Sequence, residues 1–155
     1  LLYRLENGEV PARLTPKVFW LLVGTNDLGE DHCSVESIVA GNLRIVQELQ
    51  RRRQNVKIVI NLLLPRTTDE DGRLGPIWQT IQSINPLLYF YAETMKNVYI
   101  SNATDLFLRN ELTMDVELMP DLLHPSAAGS RLWGGDILKM VSRLIDEWDV
   151  PGPHS

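Results

Sequence analysis

Val18-Phe19-Trp20-Leu21-Leu22-Val23 is an unbroken apolar run that stops at the polar turn Gly24-Thr25-Asn26-Asp27. A continuous run of β-forming residues is typical of a strand that is buried on both faces of a parallel sheet. Similar runs follow at residues 56–63 and 98–101. The opening stretch therefore predicts the first of three strands in a parallel sheet.

Helical periodicity separates these three runs. Apolar residues recur every three or four positions between residues 34 and 53, which predicts an amphipathic helix. Residues 77–95 are also expected to be helical, with an interruption at Asn85-Pro86 because proline removes a backbone donor. A last helix is predicted over residues 127–148, with Ser126 as its N-cap. Strands that alternate with helices predict an α/β domain with right-handed crossovers.

The length of 155 residues corresponds to one domain. Small parallel sheets usually contain about five strands, so three strands indicate the C-terminal part of a larger α/β domain. We therefore expect residues 1–148 to belong to one domain and residues 149–155 to form a flexible tail. The apolar runs are far shorter than the ~20 residues of a transmembrane helix, so no transmembrane segment is expected.

The charge balance and the single cysteine narrow the range of partners and cofactors. Fifteen Lys and Arg against twenty Asp and Glu give a net charge of −5, which disfavours a phosphate-binding surface. Nucleic acid is therefore not an expected partner, whereas a homo-oligomer stays open. Cys33 alone can form neither an intramolecular disulfide nor a cysteine-rich metal centre, and the compartment stays undetermined.

The turn after the first apolar run is the first candidate for chemistry. In open α/β sheets the ligand site lies beyond the carboxyl ends of the strands. Gly24 permits a sharp turn, and the side-chain amide of Asn26 is a neutral donor suited to an oxyanion. The alternative interpretation is that Asn26-Asp27 is turn chemistry that ends the strand.

The second candidate is Asp121-Leu122-Leu123-His124-Pro125-Ser126, directly before the last helix. A carboxylate three residues before a histidine can accept a hydrogen bond from one ring nitrogen and leave the other as a general base. One alternative is a surface histidine near an N-cap. Another is a metal site formed with His32, which has weak support because zinc sites usually need three well-placed ligands.

Together the two motifs resemble the SGNH (GDSL-type) hydrolase family. The resemblance rests on Gly-x-Asn-Asp after a buried strand and Asp-x-Leu-His-Pro before the last helix, and it extends over most of the chain. Within the family, the chain looks closest to the catalytic subunits of brain-type platelet-activating-factor acetylhydrolase and their microbial relatives. The resemblance implies a three-layer α/β/α fold of flavodoxin type and a serine ester hydrolase without metal or organic cofactor.

The resemblance also implies a role for each motif residue. Asn26 corresponds to the oxyanion-hole amide, His124 to the general base and acid, and Asp121 to the residue that orients His124. Gly24 and Asp27 shape the turn that holds Asn26. The implied substrate is a small ester with a short acyl or acetyl group.

The family's Gly-Asp-Ser block, which carries the nucleophile, has no counterpart in this sequence. The serines of the chain are Ser34, Ser37, Ser83, Ser101, Ser126, Ser130, Ser142 and Ser155. None follows a buried strand in a Gly-Asp-Ser setting, and no Gly-x-Ser-x-Gly elbow is present. We therefore expect the nucleophile to lie upstream of this chain and the chain alone to be inactive. The alternative is a non-catalytic α/β binding or assembly module that has lost the nucleophile.

Overall fold

Three parallel strands form the centre of the fold in the computed structural model, which describes residues 1–29 and 33–146. They are β1 (Val18–Leu21), β2 (Lys57–Asn61) and β3 (Val98–Ser101), with β2 in the middle. Val59 of β2 lies opposite Trp20 of β1 and Tyr99 of β3. The structure confirms the predicted positions and parallel direction of the three strands.

Helices connect the strands, as the periodicity predicts. They are α1 (Leu2–Arg4), α2 (Thr25–Gly29), α3 (Val35–Arg52), α4 (Pro76–Glu93) and α5 (Ala127–Asp146). A π-helical turn (Leu5–Glu9) extends α1. The predicted end of the last helix at residue 148 and the predicted tail at residues 149–155 lie outside the described residues.

The alternating side chains of β2 show that helices cover both faces of the sheet. Ile58 and Ile60 are fully buried in one hydrophobic core with residues of α3 and α4. Lys57 and Asn61 point to the opposite face, because side chains alternate along a strand. There Lys57 Nζ donates a hydrogen bond to the carbonyl of Leu144 in α5 over 2.7 Å. The layers are therefore helix, sheet and helix.

Burial on both faces is predicted for the first two strands; the structure confirms it for β2, and the prediction is wrong for β1. Every residue of β2 is buried, whereas Val18, Phe19 and Trp20 of β1 are half-buried. The reason is position: β2 has a strand on each side, and β1 pairs with β2 alone among the described residues. The apolar side chains of β1 thus lie at an edge of the sheet.

The predicted interruption at Asn85-Pro86 is also wrong, because α4 continues through Pro86. The buried face of the helix, which includes Ile84 and Leu88, packs into the core on both sides of the proline. In addition, the Asn85 side chain accepts from the Leu63 N–H over 2.9 Å and donates to the Leu63 carbonyl over 3.0 Å. Tertiary contacts therefore outweigh the backbone bond that Pro86 removes.

Several short elements carry no periodicity and were not predicted. They are α2, a 3-10 turn (Thr104–Phe107) and the antiparallel pair β4 (Leu108–Asn110) and β5 (Thr113–Met114). No helix within residues 1–29 and 33–146 is long and apolar enough to cross a membrane.

Candidate functional site

The turn that carries Asn26 depends on a glycine. Gly24 adopts a φ of +116°, and a Cβ atom at this position would lie 2.8 Å from Cγ2 of Ile38. Both the backbone angle and the contact with α3 therefore require glycine here. The chain then turns into α2, whose first residues present Asn26 and Asp27 to solvent at the carboxyl end of β1.

Asp121 and His124 form a hydrogen-bonded pair before α5. Oδ2 of Asp121 lies 2.8 Å from Nδ1 of His124, while Oδ1 accepts from the backbone N–H groups of Leu123 (3.1 Å) and His124 (2.6 Å). An ionised carboxylate can only accept hydrogen bonds, so Nδ1 carries the proton in this pair. The other ring nitrogen, Nε2, is left as the basic atom.

These hydrogen bonds also control the ionisation of Asp121. They lower the pKa of its carboxyl from the ordinary value of 3.8 to about 2, and the His124 N–H contributes most, followed by the His124 ring. The carboxylate is therefore ionised throughout the neutral range. The Asp121 and His124 side chains are 56% and 74% exposed, so solvent reaches the pair freely.

A strained residue lies inside this motif. Leu122 has a φ of +63°, a left-handed conformation that a branched hydrophobic residue rarely adopts. The turn lets the chain fold back so that the Asp121 carboxylate reaches both the backbone and the ring of His124. Strain of this kind costs of order 1–3 kcal/mol and clusters at functional sites.

The start of α5 holds the motif in place. The Ser126 Oγ accepts from the Gly129 N–H over 3.2 Å and donates to the Glu117 carbonyl over 2.9 Å, which confirms the predicted N-cap. A Cβ atom at Gly129 would lie 2.5 Å from the Leu118 carbonyl oxygen. The helix can therefore approach the preceding loop this closely because residue 129 is glycine.

The loop after β2 links the two halves of the site. Nη1 of Arg66 donates to the Thr25 carbonyl over 2.6 Å, and the next N–H, of Thr67, reaches the Leu122 carbonyl at 3.4 Å. No hydrogen bond joins Asn26 directly to Asp121 or His124 in the part of the chain that the structure describes. The two motifs are thus connected through residues 66 and 67.

A cavity of about 450 Å³ borders the turn on the side of α3. Its lining includes Leu22, Gly24, Asn26, Cys33 and Ile38. The wall is mainly apolar, with the Asn26 amide at one side. The Asp121–His124 pair does not line this cavity.

The described residues contain no group of three or more His, Cys, Asp or Glu side chains that could hold a metal ion. The alternative metal site would also need His32, which lies outside the described residues.

A family model described as "GDSL-like Lipase/Acylhydrolase family" matches residues 1–132. The chain belongs to the GDSL-like lipase/acylhydrolase family. This finding confirms the resemblance that the two motifs indicate. The family, as its description states, is one of lipases and acylhydrolases.

Two acetylhydrolase subunits are similar to the chain in sequence. Platelet-activating factor acetylhydrolase IB subunit alpha2 of Bos taurus is 28% identical over 148 residues, which cover 95% of this chain and 61% of the relative. Subunit alpha1 of Pongo abelii is 30% identical over 129 residues, which cover 83% of this chain and 52% of the relative. The chain thus spans between one half and two thirds of the length of these relatives.

Two solved structures resemble the fold of the chain at low sequence identity. A GDSL-like lipase from Bacteroides thetaiotaomicron is 20% identical and has a TM-score of 0.73, over 92% of this chain and 69% of that chain. A carbohydrate esterase family 3 protein from Talaromyces cellulolyticus is 18% identical and has a TM-score of 0.62, over 87% and 62%. These likenesses confirm the α/β fold.

The sequence pointed to the residues of both motifs, but it did not reveal the residues that hold the two turns in position. No local sequence pattern predicts the backbone angles and contacts through which these residues act, which are Leu122, Gly129 and Arg66. Arg66 lies in the loop that follows β2, at the edge of the sheet where ligand sites form, and that position was the one available signal.

Proposed function

We propose that this chain is the part of a serine ester hydrolase that supplies the oxyanion-hole amide and the His–Asp pair. The observation that carries the proposal is the 2.8 Å contact between Asp121 Oδ2 and His124 Nδ1, which leaves Nε2 as the base. In this proposal Asn26 is the oxyanion donor, His124 the general base and acid, and Asp121 the residue that orients the ring.

The reaction proceeds through an acyl-enzyme. A serine hydroxyl attacks the ester carbonyl carbon while Nε2 of His124 takes its proton, and the carbonyl electron pair moves onto oxygen. The Asn26 amide donates a hydrogen bond to this oxyanion. Collapse of the intermediate expels the alcohol, which receives the proton from His124. A water molecule then repeats the sequence on the acyl-enzyme and releases the acid.

We place the nucleophile upstream of this chain, in a strand that pairs with the open edge of β1. The half-buried side chains of Phe19 and Trp20 at that edge support this placement, as does the cavity beside Asn26. The described serine nearest in sequence to His124, Ser126, is engaged as a helix cap. The exposure of Asp121 and His124 also fits a site whose remaining wall comes from another segment.

The substrate class that we favour is a small ester with a short acyl or acetyl group. Two relatives are named as acetylhydrolase subunits, and one similar solved structure is an acetyl esterase with an acetate ion. The names of these similar proteins support an acetyl or short acyl ester as the substrate class that we propose for this chain.

The exposure of the His–Asp pair equally favours a second candidate, a non-catalytic α/β binding or assembly module without a nucleophile. A scaffold, however, has no physical need for an oriented imidazole and an exposed amide on one sheet edge. The two candidates differ in whether ester hydrolysis depends on His124.

Hydrolysis of p-nitrophenyl acetate separates these candidates. The assay compares this chain with the same chain extended by its upstream coding sequence, with His124→Ala in both and Asp136→Asn as a control on an exposed carboxylate of α5. We expect turnover in the extended form alone and a loss of ~10⁶-fold on His124→Ala, because the imidazole acts with the nucleophile as a unit. Equal turnover in the short chain would overturn the upstream nucleophile, and no turnover in either form would favour the binding module.

A further inference from the structure

Arg66 contacts both ends of the helix that carries Asn26. Nη1 of Arg66 donates to the Thr25 carbonyl over 2.6 Å at the start of α2. At the end of α2, a Cβ atom on Gly29 would lie 2.8 Å from Nη2 and 2.9 Å from Nη1. The two terminal nitrogens of the guanidinium therefore occupy a space beside Gly29 that exists because residue 29 has no side chain.

Helix α2 needs such contacts, since five residues are too few for a helix to be stable alone. Its other anchors in the described chain are the buried side chain of Leu28 and a 2.9 Å hydrogen bond from the Cys33 N–H to the Asp27 carbonyl. Both of these anchors come from the chain immediately around α2. Arg66 is 41 residues away from Thr25 and belongs to the loop that follows β2.

The same loop reaches the second half of the site. The N–H of Thr67 lies 3.4 Å from the carbonyl of Leu122, the strained residue next to Asp121. Movement of residues 66 and 67 relative to the sheet is limited because the preceding residues, 61–65, are all buried. Arg66 therefore ties the Asn26 turn to a rigid segment that also contacts the Asp121–His124 turn.

Stability alone does not explain an arginine at this position. The Nε atom of Arg66 is buried and has no hydrogen-bond partner among the described residues. A buried donor without a partner costs stability, and an apolar side chain would avoid that cost. The contact that an apolar residue could not reproduce is the hydrogen bond to the Thr25 carbonyl.

We infer that Arg66 is a positioning residue, which sets the place of the Asn26 amide relative to the turn that carries His124. The structural part of this inference rests on the contacts above. Its consequence for ester hydrolysis rests on the proposed function.

Amide hydrogen exchange, measured by NMR on this chain, tests the structural part. Arg66→Met removes both contacts and should speed exchange of the Leu28 and Gly29 amides about tenfold or more, while the buried Ile58 and Ile60 amides of β2 keep their rates. The side-chain amide resonance of Asn26 should shift as well. Arg66→Lys should restore part of the protection, because an ammonium group can still donate to the Thr25 carbonyl.

Arg73→Met is the matched control. Arg73 lies in the same loop, and its side chain is 70% exposed and pairs with Asp71. We expect this variant to leave the exchange of α2 unchanged. Unchanged exchange of α2 in Arg66→Met, or an equal increase in α2 and β2, would overturn the inference, since the second result means general destabilisation.

A double-mutant cycle with Gly29→Ala tests the contact itself. A methyl group at Gly29 should displace the guanidinium and speed the exchange of the Leu28 amide. In the presence of Arg66→Met, the same methyl group should have little further effect, because the group it displaces is absent. Effects that add in full would show that Arg66 and Gly29 act independently and would overturn the inference.

Hydrolysis kinetics address the consequence for catalysis. In an extended form that hydrolyses p-nitrophenyl acetate, Arg66→Met should lower kcat and leave KM nearly unchanged, because the oxyanion exists in the transition state and not in the bound substrate. An unchanged kcat would overturn the catalytic consequence. If the exchange results hold while no extended form is active, the proposed function fails and the positioning role of Arg66 stands.

Discussion

The indole Nε1–H of Trp133 in α5 donates a hydrogen bond to Oδ1 of Asn61, the last residue of β2, over 3.2 Å. Asn61 is buried, and β2 is the central strand. Lys57, at the other end of β2, binds the Leu144 carbonyl near the end of α5. Two polar residues of one strand thus attach α5, which begins three residues after His124, in its second turn and near its C-terminal end. They set where the His124 turn lies above the sheet.

We predict that Trp133→Phe lowers the free energy of unfolding by about 1–3 kcal/mol, because it leaves the buried Asn61 oxygen without its donor. Trp20→Phe is the matched control, since the Trp20 Nε1 is buried and has no acceptor among the described residues. That variant should cost less than the first. Urea denaturation measures both changes, and an equal loss in the two variants would show that the Trp133–Asn61 bond contributes nothing beyond ring packing.

The left-handed conformation of Leu122 should reverse the usual order of alanine and glycine. We expect Leu122→Gly to be more stable than Leu122→Ala by about 1 kcal/mol, because alanine keeps the strain of a positive φ and glycine does not. Ala128→Gly in α5 is the comparison, where glycine should cost about 1 kcal/mol. Thermal denaturation of the three variants tests this prediction. If Leu122→Ala were more stable than Leu122→Gly, as is usual for alanine and glycine in a helix, the assignment of strain to Leu122 would be wrong.

Two glycines of α5 should respond in opposite ways to alanine. Gly129→Ala places a Cβ 2.5 Å from the Leu118 carbonyl and should destabilise the chain by about 1–3 kcal/mol. Gly134 has nothing within 4 Å of such an atom, so Gly134→Ala should stabilise the helix by about 0.5–1 kcal/mol. Chemical denaturation of both variants tests the pair. A tolerated Gly129→Ala would mean that α5 does not approach the loop this closely.

The pKa of Asp121 gives a pH dependence with a defined sign. Because its folded pKa of about 2 lies below the ordinary 3.8, its hydrogen bonds stabilise the fold fully above pH 4, and this contribution is lost as the pH falls through 2. In His124→Ala, the pKa should rise but stay below 3.8, since the backbone N–H of residue 124 is the largest cause of the shift. Carboxyl ¹³C NMR titration of Asp121 measures both values, and a return to 3.8 in the variant would refute this order of causes.

The edge position of β1 predicts limited stability of this chain alone. Half-buried apolar side chains on a strand whose outer edge pairs with no other strand among the described residues favour association between chains. We expect a broad thermal transition with aggregation, and extension by the upstream segment should suppress it. A sharp transition of the short chain above ~50 °C, as intact mesophilic domains show, would contradict this prediction.

Local patterns in the sequence determined the regular elements and the site motifs. Apolar runs indicated the three strands, three-and-four spacing indicated α3, and the N-cap Ser126 indicated the start of α5. Asp121 and His124 could be paired in advance because they are three positions apart in the sequence, a distance that one turn of chain closes. Each of these features depends on neighbours within about one turn or one strand, so spacing alone reveals it.

Tertiary structure decided the features that join distant segments. Spacing cannot show that Arg66 reaches Thr25, that Trp133 binds Asn61, or that α4 continues through Pro86, because each depends on how helices pack against the sheet. The half-exposure of β1 follows likewise from its place at the edge, although its composition matches that of a central strand. An apolar side chain is buried only when another element covers it, and strand order, which decides that cover, is a property of the folded chain.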